Sequence, residues 1–275
     1  MGQYLESYRG GVRAWECDTT EHFTVAYYFD RFSQAGQRML LELGYTPNED
    51  SYPASLNCYS RFHQELNKGD SFYIQSGVIE SGSGRILLGH RLINSETDEL
   101  CTTLEQTLGG SARKKTAPFE VKWDGEPREE RGKVPDNAHW MSTSTDIVRD
   151  HETDWSGRLD LSGFIHRFSM ASVQCQSLFG MSCSYAAENR IGFSTFEFQL
   201  EFKEDYPRAG EPLEVRSAVA YIGRSSMRTV HHMQRVNGGT VAVLSQMGVH
   251  LDLDKRRPAP FPEALASRAR EMIGS

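Results

Sequence analysis

The sequence lacks most of the signatures that announce a ready-made chemistry. Its 275 residues hold five cysteines and no CxxC pair. That argues against a disulfide framework and for a reduced, cytoplasmic setting. HExxH is absent. The adjacent His231 and His232 fall on an expected strand, where neighbours point to opposite faces and cannot both grip one metal. No metal and no cofactor is therefore expected. There is no G-x-S-x-G nucleophile elbow, no Walker A run and no complete G-x-G-x-x-G. The start shows no charged-then-apolar signal pattern, and no apolar stretch approaches a membrane span. Met-Gly opens the chain, but Glu6 stands where a myristoylation signal needs Ser or Thr. A net charge of −7 argues against nucleic acid as a partner.

What the chain does have is a copy of itself. Residues 12–35, VRAWECDTTEHFTVAYYFDRFSQA, align without a gap on residues 148–171, VRDHETDWSGRLDLSGFIHRFSMA. Val12, Arg13, Glu16, Asp18, Arg31, Phe32, Ser33 and Ala35 recur as Val148, Arg149, Glu152, Asp154, Arg167, Phe168, Ser169 and Ala171. Gly44 and Gly180 keep the same offset. Further on the offset grows by five residues, pairing Gly69 with Gly210, Gly82 with Gly223 and His90 with His231. The period is far too long for a solenoid, so two fused domains of one fold are expected.

Each copy reads in the same order. In the first, residues 8–17 are an expected strand. Tyr28, Phe29, Phe32, Ala35, Met39, Leu40 and Leu43 then recur at three and four, one buried stripe of a long helix. Gly44 ends that helix and Pro47 follows. Residues 55–65, 70–81, 85–94 and 99–108 read as four strands with hairpin punctuation between them. In the second copy, residues 143–152 read as a strand, and Leu161 to Phe179 carry the helix stripe. Strands follow near 193–204, 212–222, 226–236 and 240–251, then a terminal helix over Glu263–Ile273. The fold class is α+β. Residues 1–110 form the first repeat and residues 141–275 the second with its helical tail. Residues 111–140, rich in Gly, Pro and charge, read as a solvated linker that tolerates trimming over 126–132.

Asp18 and Asp154 sit at the strand-to-helix junction of each copy. An Asp before a helix is an ordinary cap, and Thr19, Thr20 or Thr24 offers the same service. Asp18, however, precedes the helix stripe by six or seven positions, early for a simple N-cap. Glu16 and Glu152, two residues before each Asp, fall on the same face of the expected strand, where a nearby carboxylate would raise its pKa; they read equally as solvated side chains. His22 reads equally as a group orienting substrate and as a half-buried structural histidine. Tyr28 reads as core. His90 and His231 fall mid-strand, and Arg113, Lys114 and Lys115 offer a small basic group for CoA phosphates or a solvated surface.

The run Asp18-Thr19-Thr20-Glu21-His22, followed by Tyr28 and Ala35, resembles the hotdog-fold acyl-CoA thioesterases of the 4-hydroxybenzoyl-CoA thioesterase type, whose pattern is roughly D-x-x-G-H-x-N with a Tyr and an Ala downstream. Glu21 and Thr24 replace the family's Gly and Asn. The second copy keeps Asp154 and Gly157 but has Arg158 and Asp160 at the His and Asn positions. The resemblance implies a double hotdog, with two sheets joined as in a homodimer, each wrapped on its own helix. It implies a catalytic Asp acting as general base or nucleophile on a thioester, with helix N-terminal amides receiving the oxyanion. Asp18, His22 and Asp154 then become the catalytic candidates, and Thr24, Tyr28, Gly157 and Arg158 the substrate-binding ones. The implied partner is an acyl-CoA or acyl-ACP, and two such chains could pair as a homodimer. A hotdog hydratase or dehydratase and a non-catalytic acyl-thioester binder stand as alternatives.

Overall fold

The computed structural model describes residues 2–18, 22–47, 52–203 and 205–274. The chain divides into two compact units, Met1–Arg128 with Arg149–Ile165, and Glu129–Val148 with His166–Ser275. In the first unit the strands β1 (Leu5–Gly11), β2 (Ser55–Phe62), β3 (Ser71–Gly82), β4 (Arg85–Asn94) and β5 (Leu100–Gly109) run antiparallel in the order β1-β3-β4-β5-β2. They pack against α1 (Val25–Glu42). In the second unit β6 (Met141–Ile147), β7 (Ile191–Phe202), β8 (Pro212–Ile222), β9 (Ser226–Arg235) and β10 (Thr240–Asp252) are ordered β7-β10-β9-β8-β6, with the two-residue β11 (Arg257–Pro258) beside β10. Their helix is α2 (Leu161–Leu178), followed by α3 (Cys183–Asn189) and finally α4 (Glu263–Ile273). The chain is a double hotdog, as the duplicated pattern implies.

The two copies match in detail. The bulge between Glu6 and Tyr8 recurs between Ser142 and Ser144, and that between Val78 and Glu80 recurs between Val219 and Tyr221. Both long helices end in the same left-handed cap. Gly44 has φ +94° and Gly180 φ +103°, and Tyr45 N–H and Met181 N–H reach back to the carbonyls of Leu40 and Gln176, each at 3.0 Å. The helix stripes are buried: Phe29, Phe32, Ala35 and Met39 in α1, Phe164, Phe168, Ala171 and Cys175 in α2.

Three expectations need correction. First, β1 and β6 start earlier than the pattern suggests and stop before the repeated Glu. Ala14–Glu16 and Asp150–Glu152 are 3-10 turns. The Glu16 and Glu152 carboxylates close these turns by accepting the N–H of Arg13 at 2.9 Å and of Arg149 at 2.8 Å, a local bond that outcompetes the strand ladder. Glu16 also pairs with Arg31. These carboxylates therefore hold the chain rather than share a strand face with the Asp. Second, α3 and β11 were absent from the sequence reading; α3 lies in the insertion that lengthens the second copy.

Third, residues 111–140, although mostly exposed, are pinned to the two units by specific contacts. They form a strap on the sheet faces turned away from the helices. In the first unit Val121 N–H donates to Val78 at 3.0 Å, Trp123 Nε1 donates to Glu105 at 2.8 Å, Glu126 pairs with Arg61 at 2.7 Å, and Tyr59 donates to the Pro127 carbonyl at 3.3 Å. A Cβ on Gly89 would lie 2.5 Å from the Trp123 ring, so only glycine admits the indole there. In the second unit Arg131 grips the fully buried Glu197 with both arms of its guanidinium, and Arg228 donates to the Gly132 carbonyl at 2.6 Å.

On the helix-facing side a buried polar line crosses each sheet. Ser7 and Ser76 hydroxyls lie 2.6 Å apart, and Ser76 Oγ is 2.6 Å from His90 Nδ1; Thr143, Ser217 and His231 repeat this with the same spacings. Burial pushes His90 down to about 4 and His231 to about 3. Both imidazoles are neutral in the folded chain, whereas an unfolded histidine takes a proton near its ordinary 6.5. Stability from this source is complete above that value and is lost as pH falls through it toward 4, at about 1.4 kcal/mol per pH unit per histidine. We expect the melting temperature to drop steadily between those limits. A flat profile there, or an imidazole of His90 titrating near 6.5 by NMR, would contradict the assignment.

Candidate active site

The first junction is built by the chain that follows β1. Cys17 bridges Phe23, and the turn between them is closed at both ends. Asp18 N–H donates to the His22 carbonyl at 2.9 Å, and His22 N–H donates to the Asp18 carboxylate at 3.2 Å. Thr19, Thr20 and Glu21 lie outside the described residues. The His22 ring is buried and its Nε2 lies 3.4 Å from the Glu65 carboxylate. Glu65 belongs to the loop after β2. That loop is fastened by Phe23 N–H to the Leu66 carbonyl at 2.8 Å, by Leu66 N–H to Tyr28 Oη at 3.1 Å, and by a His22–Asn67 bridge.

Thr24 is the N-cap of α1 and its side chain makes no capping bond. The start of α1 carries the positive end of the helix dipole and follows Asp18 and His22 in the chain. Tyr28 sits one turn in, fully buried, its phenol raised by burial and its oxygen taken by Leu66. Its phenol ties α1 to the loop after β2.

The second junction has the same loop with different consequences. Asp154 N–H donates to the Arg158 carbonyl at 2.7 Å, as its counterpart does. Here one carboxylate oxygen takes three donors: Ser156 N–H at 2.7 Å, Ser156 Oγ at 2.6 Å and Arg158 N–H at 3.2 Å. Arg158 Nε lies 3.8 Å from the other oxygen, and its Nη2 donates to the Tyr52 carbonyl at 3.0 Å. Gly157, with φ +72°, makes the turn. Arg158 and Gly157 thus lock the loop around Asp154.

Asp160, in the position of Thr24, accepts from Ser162 Oγ at 3.0 Å and Ser162 N–H at 3.4 Å, and from the Ser33 hydroxyl of α1. Burial holds its carboxyl above the ordinary range, with Ser33 and Ser162 opposing. The start of α2 is therefore capped by a carboxylate, whereas the Thr24 side chain makes no capping bond at the start of α1. Among the described residues no group of three or more His, Cys, Asp and Glu side chains is placed to hold a metal ion.

The structure thus brings Asp18, His22 and Thr24 together at one helix start and seals Asp154 and Arg158 at the other. Glu65 escaped the sequence reading. It stands at the end of an expected strand, 43 positions after His22, and only the loop geometry brings it near.

The profile of the thioesterase-like superfamily matches residues 12–124 and again 148–269, and the chain belongs to that family. The reaction class that goes with it is thioester hydrolysis. No curated protein matches the sequence. Among solved structures the chain is similar to the 12:0-ACP thioesterase from Umbellularia californica, at 11% identity over 88% of this chain and 93% of that one, TM-score 0.66. It is equally similar to an acyl-ACP thioesterase from Bacteroides thetaiotaomicron, at 10% identity over 88% and 96%, TM-score 0.66. At such identities the likeness is one of fold. No helix among the described residues is long and apolar enough to cross a membrane.

Proposed function

We propose that the protein hydrolyses acyl thioesters carried on CoA or an acyl carrier protein, and that Asp18 at the first junction is the working carboxylate. The observation that carries this reading is the contrast between the two helix starts. At the α1 start the Thr24 side chain makes no capping bond, and Asp18 and the His22–Glu65 pair directly precede it in the chain. At the second, the Asp160 carboxylate takes the Ser162 N–H at the helix start, and Asp154 takes three donors of its own loop with the Arg158 guanidinium beside its other oxygen.

Asp18 takes a proton from a water as its oxygen adds to the thioester carbonyl carbon. The carbonyl oxygen gains charge and is met by the α1 amides. The C–S bond then breaks, the thiolate leaves with the proton that Asp18 returns, and a carboxylic acid remains. His22, oriented by Glu65, positions the thioester. Thr24 begins the oxyanion-binding turn, while Tyr28, Gly157 and Arg158 serve the framework. The five cysteines are all free thiols, which supports a reducing, cytoplasmic setting.

Mass analysis of products after incubation with a panel of acyl-CoAs tests this reading. A free acid and free CoA thiol are expected. A water adduct that keeps its thioester would make the protein a hydratase, and an unchanged panel that binds would make it a carrier.

A further inference from the structure

The chain between Glu16 and Thr24 is a small hairpin, and one buried side chain anchors its base. The Glu16 carbonyl accepts Thr24 N–H at 2.9 Å, Cys17 bridges Phe23 antiparallel, and Asp18 N–H donates to the His22 carbonyl at 2.9 Å. This ladder fixes Asp18 and His22 relative to Glu16 and to the N-cap of α1. The Glu16 side chain then fixes the ladder to its surroundings. One carboxylate oxygen accepts Arg13 N–H at 2.9 Å, just past the end of β1. The other pairs with Arg31, in the second turn of α1. The Glu16 and Arg31 side chains are 5% and 12% exposed, so water and salt screen the pair little. Arg31 is held in turn. Its other terminal nitrogen pairs with Asp30, and its guanidinium carbon lies 5.7 Å from the centre of the Tyr8 ring of β1, which stacks on Phe72 of β3 at 5.8 Å. A planar guanidinium shared between two carboxylates and an aromatic ring has little freedom left.

We propose that Glu16 and Arg31 are positioning residues for the hydrolysis: through them β1 and α1 set where the Asp18 carboxylate stands relative to the start of the helix. The inference rests on the reading of Asp18 as the working carboxylate. Attack on a thioester needs the carboxylate, the water and the carbonyl in line, with the helix start at the forming oxyanion. A displacement of about 1 Å between carboxylate and helix loses rate while the substrate still binds. The second copy supplies the control. Glu152 closes the same turn by accepting Arg149 N–H at 2.8 Å, and its carbonyl accepts Asp160 N–H at 2.8 Å. It does this at the junction where Asp154 already takes three donors of its own loop.

The test is steady-state kinetics of the full chain on the best acyl-CoA found, well below the melting temperature of each variant. In Glu16→Gln the amide oxygen accepts from Arg13 or from Arg31, and the other donor meets an N–H. Asp30 stays beside Arg31, so this arginine keeps a partner and the variant is expected to fold. Its kcat is expected to fall about 10–100-fold with KM within about three-fold of wild type. Arg31→Lys keeps the charge without the two-armed grip on Glu16 and Asp30, and should lose less of kcat than Glu16→Gln. Glu152→Gln is expected to lower the melting temperature to a similar degree while kcat stays within about two-fold of wild type. Wild-type kcat in Glu16→Gln and Arg31→Lys, beside an impaired Asp18→Asn, overturns the positioning role and leaves Asp18 in place. A change confined to KM overturns it as well. Full turnover in Asp18→Asn overturns both this role and the reading it rests on.

Discussion

Asp18→Asn is expected to lower kcat/KM by roughly 10²–10⁴-fold while the melting temperature stays near that of the wild type. The two readouts separate chemistry from capping. Asparagine has the same size, and its side-chain oxygen still accepts the His22 N–H that closes the turn at 3.2 Å, so the loop survives. The amide takes no proton from water at neutral pH and is no nucleophile. KM should move little, because the amide removes a group that acts on the attacking water. If Asp18 merely holds the turn, the pattern reverses: turnover persists and any loss shows in melting. Glu65→Gln makes a milder companion, since it leaves Asp18 in place and loosens only the orientation of His22. It should cost less than Asp18→Asn.

Arg131→Ala is expected to give the largest loss of stability. Arg131 Nε and Nη2 donate to the two oxygens of Glu197 at 2.8 and 2.7 Å, and Glu197 is completely buried on β7. Removing one partner of a buried pair costs about 3–5 kcal/mol, because the remaining charge is stranded. Arg228 is near enough for its charge to act on Glu197, which favours the lower end. At about 2–4 °C per kcal/mol for a chain of this size class, the melting temperature should fall by about 6–12 °C. Arg131→Met combined with Glu197→Gln removes both charges and should recover much of that loss. A melting temperature unchanged by Arg131→Ala would mean that the strap contributes nothing, and would restore the solvated-linker reading of residues 111–140.

The anchoring of that segment was hidden for a physical reason. The strap's partners, Tyr59, Arg61, Glu105, Glu197 and Arg228, are distant in sequence, and a run of Gly, Pro and alternating charge looks the same whether its charges face water or a sheet. By contrast, the repeat, the two helices with their glycine caps and the antiparallel order were legible, because each rests on local periodicity. The candidate site was half legible. The spacing of Asp18 and His22 could be read directly. The seal on Asp154 could not, because it depends on Ser156 and Arg158 folding back onto one carboxylate oxygen. The bond that the Tyr28 oxygen accepts from Leu66 N–H could not be read either, because it joins residues 38 positions apart. The turns closed by Glu16 and Glu152 were not legible, because a 3-10 turn of three residues leaves no periodic trace.

The account stands on the claim that one copy's aspartate works and the other's is structural. Measuring kcat/KM for Asp18→Asn and Asp154→Asn side by side on the best thioester found tests it most directly. Asp154→Asn should stay within a few-fold of wild type, with a lowered melting temperature from the weakened grip on Ser156 and Arg158, while Asp18→Asn loses most turnover. Near wild-type hydrolysis in Asp18→Asn with an inactive Asp154→Asn would contradict the account and move the chemistry to the second junction.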